Sequence, residues 1–273
     1  MSTIFLKLLG MLIPVGLGYF LKTIGFFGKT DYRILAKIAI NITLPAAVVT
    51  SFARQQLDRT LIGIAVWAFA LNILVLLYAW VTSRHIKERK KRCMDMFALV
   101  GFNMGNFMIP FAQQFMGATG VAVTALFDSG NSFMCTGGHY IAVTTLVGEE
   151  GKKTTLKDIF SKLFSSPPLL VYIVMIFLML FGISVPEPLA EICSVTGSAN
   201  AFTSMFMMGL MFEIHFEKEY VWEAISVLVR KYAFGAVVAL AAYYLLPFPL
   251  VVRQVLVLVA FAPIPSLAAI FTE

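Results

Sequence analysis

Asn103-Met104-Gly105-Asn106-Phe107-Met108-Ile109-Pro110 sets two amides, a glycine and a proline inside a stretch otherwise apolar enough to cross a bilayer. Proline has no N–H to give, and its ring clashes with the carbonyl four residues back, so a helix is interrupted there. At membrane depth the freed backbone groups must meet protein, water or a solute. Asn103, Asn106 and Pro110 share one helix face. Near the other end of the sequence a second apolar stretch is broken in the same manner by Pro263, Pro265 and Ser266. A single broken helix reads as a packing kink, whereas a matched pair in two halves of a chain points to a transporter's binding site.

Working outward, the composition sets the solvent. The chain is 59% hydrophobic and 13% charged, with a mean hydropathy of +0.86, against about 25% charged residues in soluble domains. It reads as an all-α polytopic membrane protein. The 14 Met and 25 Phe need no explanation beyond lipid-facing and interhelical packing, and no cofactor is expected from them. Cys93, Cys135 and Cys193 are scattered and odd in number, which indicates neither a disulfide framework nor a metal site. Asn41-Ile42-Thr43 fits a glycosylation sequon but lies within an apolar segment.

At about 20 residues per span, apolar segments fall near 4–22, 34–53, 60–83, 94–117, 119–147, 167–184, 189–212, 224–246 and 251–271. Positive residues gather in alternate connections: Lys22, Lys29, Arg33 and Lys37, then the run from Arg84 to Arg92, then Lys152, Lys153, Lys157 and Lys162, then Lys218, Arg230 and Lys231. Together these are 17 of the 21 Lys and Arg. The positive-inside rule then puts the N-terminus outside a cell membrane. The basic run is a topology signal first and a candidate lipid-headgroup contact second. Lacking interleaved aromatic residues, it offers no nucleic-acid surface. Nothing resembling a small-x-small cleavage site follows the first segment, so it reads as a mature helix rather than a signal peptide.

The fourth segment of each half carries the proline break. A five-helix unit ends on the opposite side of the bilayer from its start, so a second copy must be inverted. The expected organisation is a first repeat over 1–147, a short cytoplasmic linker over 148–166, and an inverted second repeat over 167–273 with four of its five helices. A tenth helix is expected to be missing from this sequence, which would then be part of a chain of about 305 residues.

Asn41-Ile42-Thr43-Leu44-Pro45, the 103–110 stretch with Phe115-Met116-Gly117, Asp128-Ser129-Gly130-Asn131 and Ala262-Pro263-Ile264-Pro265-Ser266 together resemble the auxin efflux carrier family, including its bacterial malonate-transporter-like members. The resemblance implies ten helices in two inverted repeats, a scaffold domain, and a transport domain whose fourth and ninth helices unwind and cross near mid-membrane. It implies carboxylate substrates, with Asn103 at the position that binds the carboxylate, Pro110 forming the crossing, and Pro263, Pro265 and Ser266 as the counterpart. A homodimer is implied as well. The short 148–166 connection is unlike the long hydrophilic loop of the plant members, which argues against auxin itself as the substrate.

Within this frame, side-chain amides and half-helix N-termini suit a carboxylate, and Asn103 and Asn106 are the candidates. Asn41 in segment two is a further candidate contact, although small polar residues there also serve as interhelical glue. Segment five adds a stripe of Asp128, Asn131, Ser132, Cys135 and His139 at helical spacing. An acid inside an apolar span faces a cavity, a partner or an ion path, so Asp128, Asn131 and His139 are the candidates for proton or ion coupling. A backbone-bonding acid is the competing reading of Asp128, and a solvated histidine that of His139. The sequence leaves proton, sodium or no coupling open. With no phosphate-binding loop, no second acid to pair with Asp128 and no His-Glu-x-x-His, neither nucleotide hydrolysis nor an enzyme is indicated. The expected partners are the lipid bilayer and a small organic anion. The competing functions are a sodium-coupled symporter of the bile-acid type and a solute-binding membrane sensor that moves nothing.

Overall fold

The computed structural model describes residues 2–55, 58–148, 156–213 and 221–265. Among these, all regular structure is helical. In chain order the helices are α1 (Ser2–Thr23), α2 (Tyr32–Ile38), α3 (Leu44–Ala53), α4 (Gly63–Thr82), α5 (Arg89–Phe97), α6 (Ile109–Phe115), α7 (Gly117–Phe133), α8 (His139–Val147), α9 (Leu156–Phe164), α10 (Pro167–Phe181), α11 (Glu187–Ser198), α12 (Asn200–Met211), α13 (Val221–Leu245) and α14 (Leu250–Ala260). Four helical stretches are long and apolar enough to cross a membrane: Ile4–Thr23, Tyr32–Ala53, Arg59–Thr82 and Val221–Leu245. Their apolar side chains point largely outward, as Val66 at 69% exposure and Val237 at 67% illustrate. Water would not tolerate so much continuous apolar surface, whereas lipid tails do.

Proline placement explains two of the irregular turns. A wider π turn spans Ala39–Thr43 ahead of Pro45, and another spans Met104–Met108 ahead of Pro110. In each case the proline removes the donor that the carbonyl four residues back would have used, and the backbone widens to clear its ring. Both prolines then sit in the first turn of the following helix, where a missing N–H is harmless. A third π turn, Met134–Gly138, separates α7 from α8.

The chain divides into two compact units, each drawn from both halves of the sequence. One comprises Met1–Leu61, Met104–Ala125 and Ser166–His215. Within it α1 lies along α12, and α3 along α11. The approach of α1 to α12 is close enough that a Cβ on Gly209 would stand 2.1 Å from the Val15 carbonyl oxygen. Thr43 Oγ1 donates to Asn200 Oδ1 at 3.1 Å, and Gln113 Nε2 to the Gly197 carbonyl at 2.9 Å. These are interhelical packing bonds of the kind small polar residues make in membranes.

The other unit comprises Ile62–Asn103, Leu126–Ser165 and Phe216–Glu273. Here α13 packs on α14, and α8 on α4 and α5. Gly130 of α7 sits so near α4 that a Cβ would fall 2.0 Å from the Ala65 carbonyl oxygen. The 148–166 connection contains a helix of its own, α9.

Two expectations need correction. Arg230 and Lys231 are not connection residues, because α13 begins at Val221 and carries both inside the helix. Without them the run from Arg84 to Arg92 still dominates the charge asymmetry. The interruption of the fourth segment also falls upstream of Pro110. The residues outside any helix are 98–103, and Gly101 rather than the proline supplies the unusual backbone.

Candidate functional site

The end of α5 is decided by Gly101. Its φ of +79° lies in the left-handed region that residues with a Cβ avoid. A Cβ there would also stand 2.8 Å from Pro265 Cγ and 3.1 Å from Cys135 Sγ. Both constraints select glycine. The chain then runs through Phe102 to Asn103, whose backbone N–H donates to the Pro263 carbonyl at 2.8 Å. Pro263 and Pro265 follow the end of α14 at Ala260, in a stretch that is not helical. The interrupted fourth segment and the non-helical stretch after α14 thus touch within one unit, joined backbone to backbone. The Asn103 side chain is half-buried at this junction.

Interrupting a helix leaves carbonyls to satisfy, and each one here that has a side-chain partner meets it from a distant element. The Phe102 carbonyl accepts from Asn131 Nδ2 at 3.0 Å. The same amide nitrogen donates to Asp128 Oδ1 at 3.0 Å, while Asn131 Oδ1 accepts from Asn72 Nδ2 at 3.2 Å and from Cys135 Sγ at 3.3 Å. Asn72 Nδ2 also donates to the Ala68 carbonyl at 2.8 Å. Asn72 and Asn131 are 0% and 2% exposed, so this network is an interior one. Asp128 therefore has a partner in the Asn131 side-chain amide.

His139 departs from the solvated histidine that its position implied, at only 3% exposure. The π turn at Met134–Gly138 adds a residue to the turn ahead of it, which shifts its register from the straight stripe drawn from Asp128. Its ring faces the Asn72 backbone. His139 Nε2 and Asn72 Oδ1 are both buried without a hydrogen-bond partner. Asp128, Asn131 and His139 are thus linked through Asn72, a residue the sequence reading passed over. The available signal was a lone amide in the most apolar of the long spans, since Arg59–Thr82 has a mean hydropathy of 2.4.

Lys231 was missed as well, having been counted among topology charges. It is 9% exposed, and its Nζ donates to the carbonyls of Leu99 at 3.2 Å and Gly101 at 3.1 Å. The Phe102 ring centroid lies 5.4 Å away, within cation–π range. One residue earlier, Arg230 grips Asp95 of α5 through both terminal nitrogens, the Nη1–Oδ2 contact being 2.9 Å. Tyr78 Oη donates to the Arg230 carbonyl at 3.1 Å.

The remaining candidates lie elsewhere. Asn41, Asn106 and Pro110 belong to the other unit. Asn41 is exposed and donates to its own helix, to the Lys37 carbonyl at 2.8 Å. Asn106 is half-buried in the π turn, and Pro110 is buried. Ser266 lies outside the described residues. The described residues contain no cluster of three His, Cys, Asp or Glu arranged to hold a metal ion.

The junction brings together an amide, non-helical backbone and one interior ammonium. Comparison with known proteins agrees with a membrane role. The chain is 26% identical over 267 residues, 96% of its length and 85% of the relative's, to a protein named an uncharacterized transporter from Methanothermobacter thermautotrophicus (strain ATCC 29096 / DSM 1053 / JCM 10044 / NBRC 100330 / Delta H). It is 25% identical over 209 residues, 73% of its length and 66% of the relative's, to an uncharacterized transporter from Methanocaldococcus jannaschii (strain ATCC 43067 / DSM 2661 / JAL-1 / JCM 10045 / NBRC 100440). No model of a protein family matches the chain.

Proposed function

We propose that this protein is a secondary transporter that carries a small organic anion, a mono- or dicarboxylate, across the cell membrane in the manner of the auxin efflux carrier family. The observation that carries this reading is the 2.8 Å bond from the Asn103 N–H to the Pro263 carbonyl, where the interrupted fourth segment meets the proline-bearing stretch after α14. Broken helices of this kind expose backbone groups inside the bilayer, and a transporter uses them to hold its solute. The transporter names of the two archaeal relatives support the same role. In this reading the fourth and ninth segments are the crossing helices of two inverted repeats, and Asn103 hydrogen-bonds the carboxylate. Pro263 and Pro265 shape the facing wall. An elevator-like shift of the domain carrying Asn103 moves the solute. Asp128, Asn131 and His139 form the candidate coupling group, because a half-buried acid and a buried imidazole beside one amide network are the types that exchange protons.

The test is uptake into proteoliposomes of a panel of labelled carboxylates, run across pH and sodium gradients. At least one carboxylate is expected to accumulate or exchange, with Asn103→Ala lowering its uptake. Saturable binding without flux would replace the transporter with a sensor, and uptake that requires a sodium gradient would replace it with a bile-acid-type symporter.

A further inference from the structure

The break in the fourth segment leaves carbonyls at the C-terminal side of α5 that a membrane interior cannot satisfy with water. In coupled transporters, unwound backbone carbonyls and half-helix C-terminal ends of this kind are where sodium ions sit. Here two of them, Leu99 and Gly101, already accept from Lys231 Nζ at 3.2 and 3.1 Å. The lysine reaches them from α13, and its own helix fixes the geometry. Its neighbour Arg230 is tied to Asp95 on α5, so adjacent residues of α13 engage both the body and the end of the same half-helix. The Phe102 ring, 5.4 Å from Nζ, presents a face that favours a cation as well.

We propose that Lys231 is a positioning residue that fills, from within the chain, the carbonyl site an alkali cation would otherwise occupy. The ammonium holds the gap in its open conformation, and solute movement then needs no sodium. This inference deepens the transporter reading and rests on it for the flux arm alone, because the site itself can be probed without transport. The chemistry is that of an ammonium or a small alkali cation on backbone oxygens. A buried lysine satisfied by carbonyl dipoles has the same ligand set as such an ion, with the difference that it cannot leave.

The experiment uses the whole purified chain, comparing wild type, Lys231→Ala and Lys231→Arg in media containing sodium, methylammonium or choline. Thermal unfolding in detergent is read first. Wild type is expected to unfold at the same temperature in all three media. Lys231→Ala is expected to fall by roughly 5 °C or more in choline, on the scale of one lost buried partner in a chain of this size. Sodium or methylammonium, being small enough for the vacated site, should restore much of that loss. Lys231→Arg, which keeps the charge in the site, should be less stable than wild type by the same amount in all three media. Proteoliposome flux is read second: wild type should be indifferent to sodium, and Lys231→Ala should lose about 100-fold in choline, with partial recovery in sodium.

A Lys231→Ala protein whose stability is the same in all three media, or a wild type that sodium selectively stabilises, overturns the assignment. Should the alanine variant fail to fold, Lys231→Arg carries the test, since the assignment requires it to fold and to be indifferent to sodium. If no tested carboxylate moves while the alanine variant still responds to small cations, the transporter reading fails and the carbonyl site stands.

Discussion

The two units of the molecule solve the same packing problem with different chemistry. In the unit that contains α1, α3, α11 and α12, helices meet across small residues, with Gly209 against Val15, and the side-chain bonds between them include Thr43 to Asn200, Gln113 to the Gly197 carbonyl and, at the helix ends, Lys22 to the Phe212 carbonyl. In the unit that contains α4, α5, α13 and α14, helices are held by Lys231, Arg230–Asp95 and the Asn72–Asn131–Asp128 network, all converging on one interrupted segment. The first arrangement rests mainly on close approach, with polar contacts between neutral side chains inside it and an ion pair, Lys22 to Glu213, at the helix ends. The second commits expensive polar groups to the interior, which a membrane protein retains where it handles a solute. On the proposed transporter reading, the second unit is the one that carries the solute chemistry.

Substitutions that test each unit on its own terms probe that contrast. The largest effect is expected from Gly101→Val, which puts a branched side chain at φ +79° and against Pro265. Uptake should fall by about 100-fold or more as the junction is displaced, and wild-type flux from this variant would remove the junction from the mechanism. Next comes Arg230→Ala, which strands the partly buried Asp95. We expect about 3 kcal/mol of lost stability in mixed micelles, with a cycle through Asp95→Ala showing strong coupling between the two. In the other unit, Gly209→Ala should cost about 2 kcal/mol by forcing α1 and α12 apart, while leaving the KM for any solute it still carries unchanged. A changed KM would blur the division between the units.

Asp128→Asn should alter the pH dependence of uptake by a few-fold, since each tenfold step in rate answers to about 1.4 kcal/mol and the acid already has a neutral partner. An unaltered profile would take Asp128 out of the coupling group. The smallest effect concerns Asp58, which lies outside the spans and caps the turn Arg59–Ile62 by accepting from the Thr60 N–H at 2.7 Å. The backbone hydrogen bond from Thr60, followed by the side-chain one, holds its carboxyl below the usual value. A depressed folded-state pKa contributes stability above the unfolded value of about 3.9 and loses it as pH falls through the folded one. Titration of the Asp58 carboxyl by NMR should therefore show a low midpoint, and an ordinary midpoint would mean that the cap does not form.

The membrane character was legible because lipid imposes a simple rule, about 20 apolar residues per crossing, and four of the nine segments read from the sequence are single helical stretches of that length. The break in the fourth segment was legible too, but its centre was misplaced by attention to Pro110. Proline in a first helical turn is benign, whereas Gly101, with no neighbouring signal to mark it, carries the left-handed backbone. Lys231 escaped because a lysine near a segment end looks like a topology charge until the helix is seen to begin at Val221. The Asn72 link to Asn131 and His139 was beyond reach for another reason. It joins residues 59 positions apart, and helical spacing speaks only of neighbours on one helix.

The reach of Lys231 also constrains how the chain is made. Its carbonyl partners, Leu99 and Gly101, precede it by 132 and 130 positions. A ribosome adding about 5–20 residues per second delivers the ammonium on the order of ten seconds after the gap has emerged. Throughout that interval the severed half-helix must be chaperoned by the insertion machinery or kept near the lipid headgroups. Assembly of this region is therefore a late event, completed only when the second half of the sequence arrives to close it.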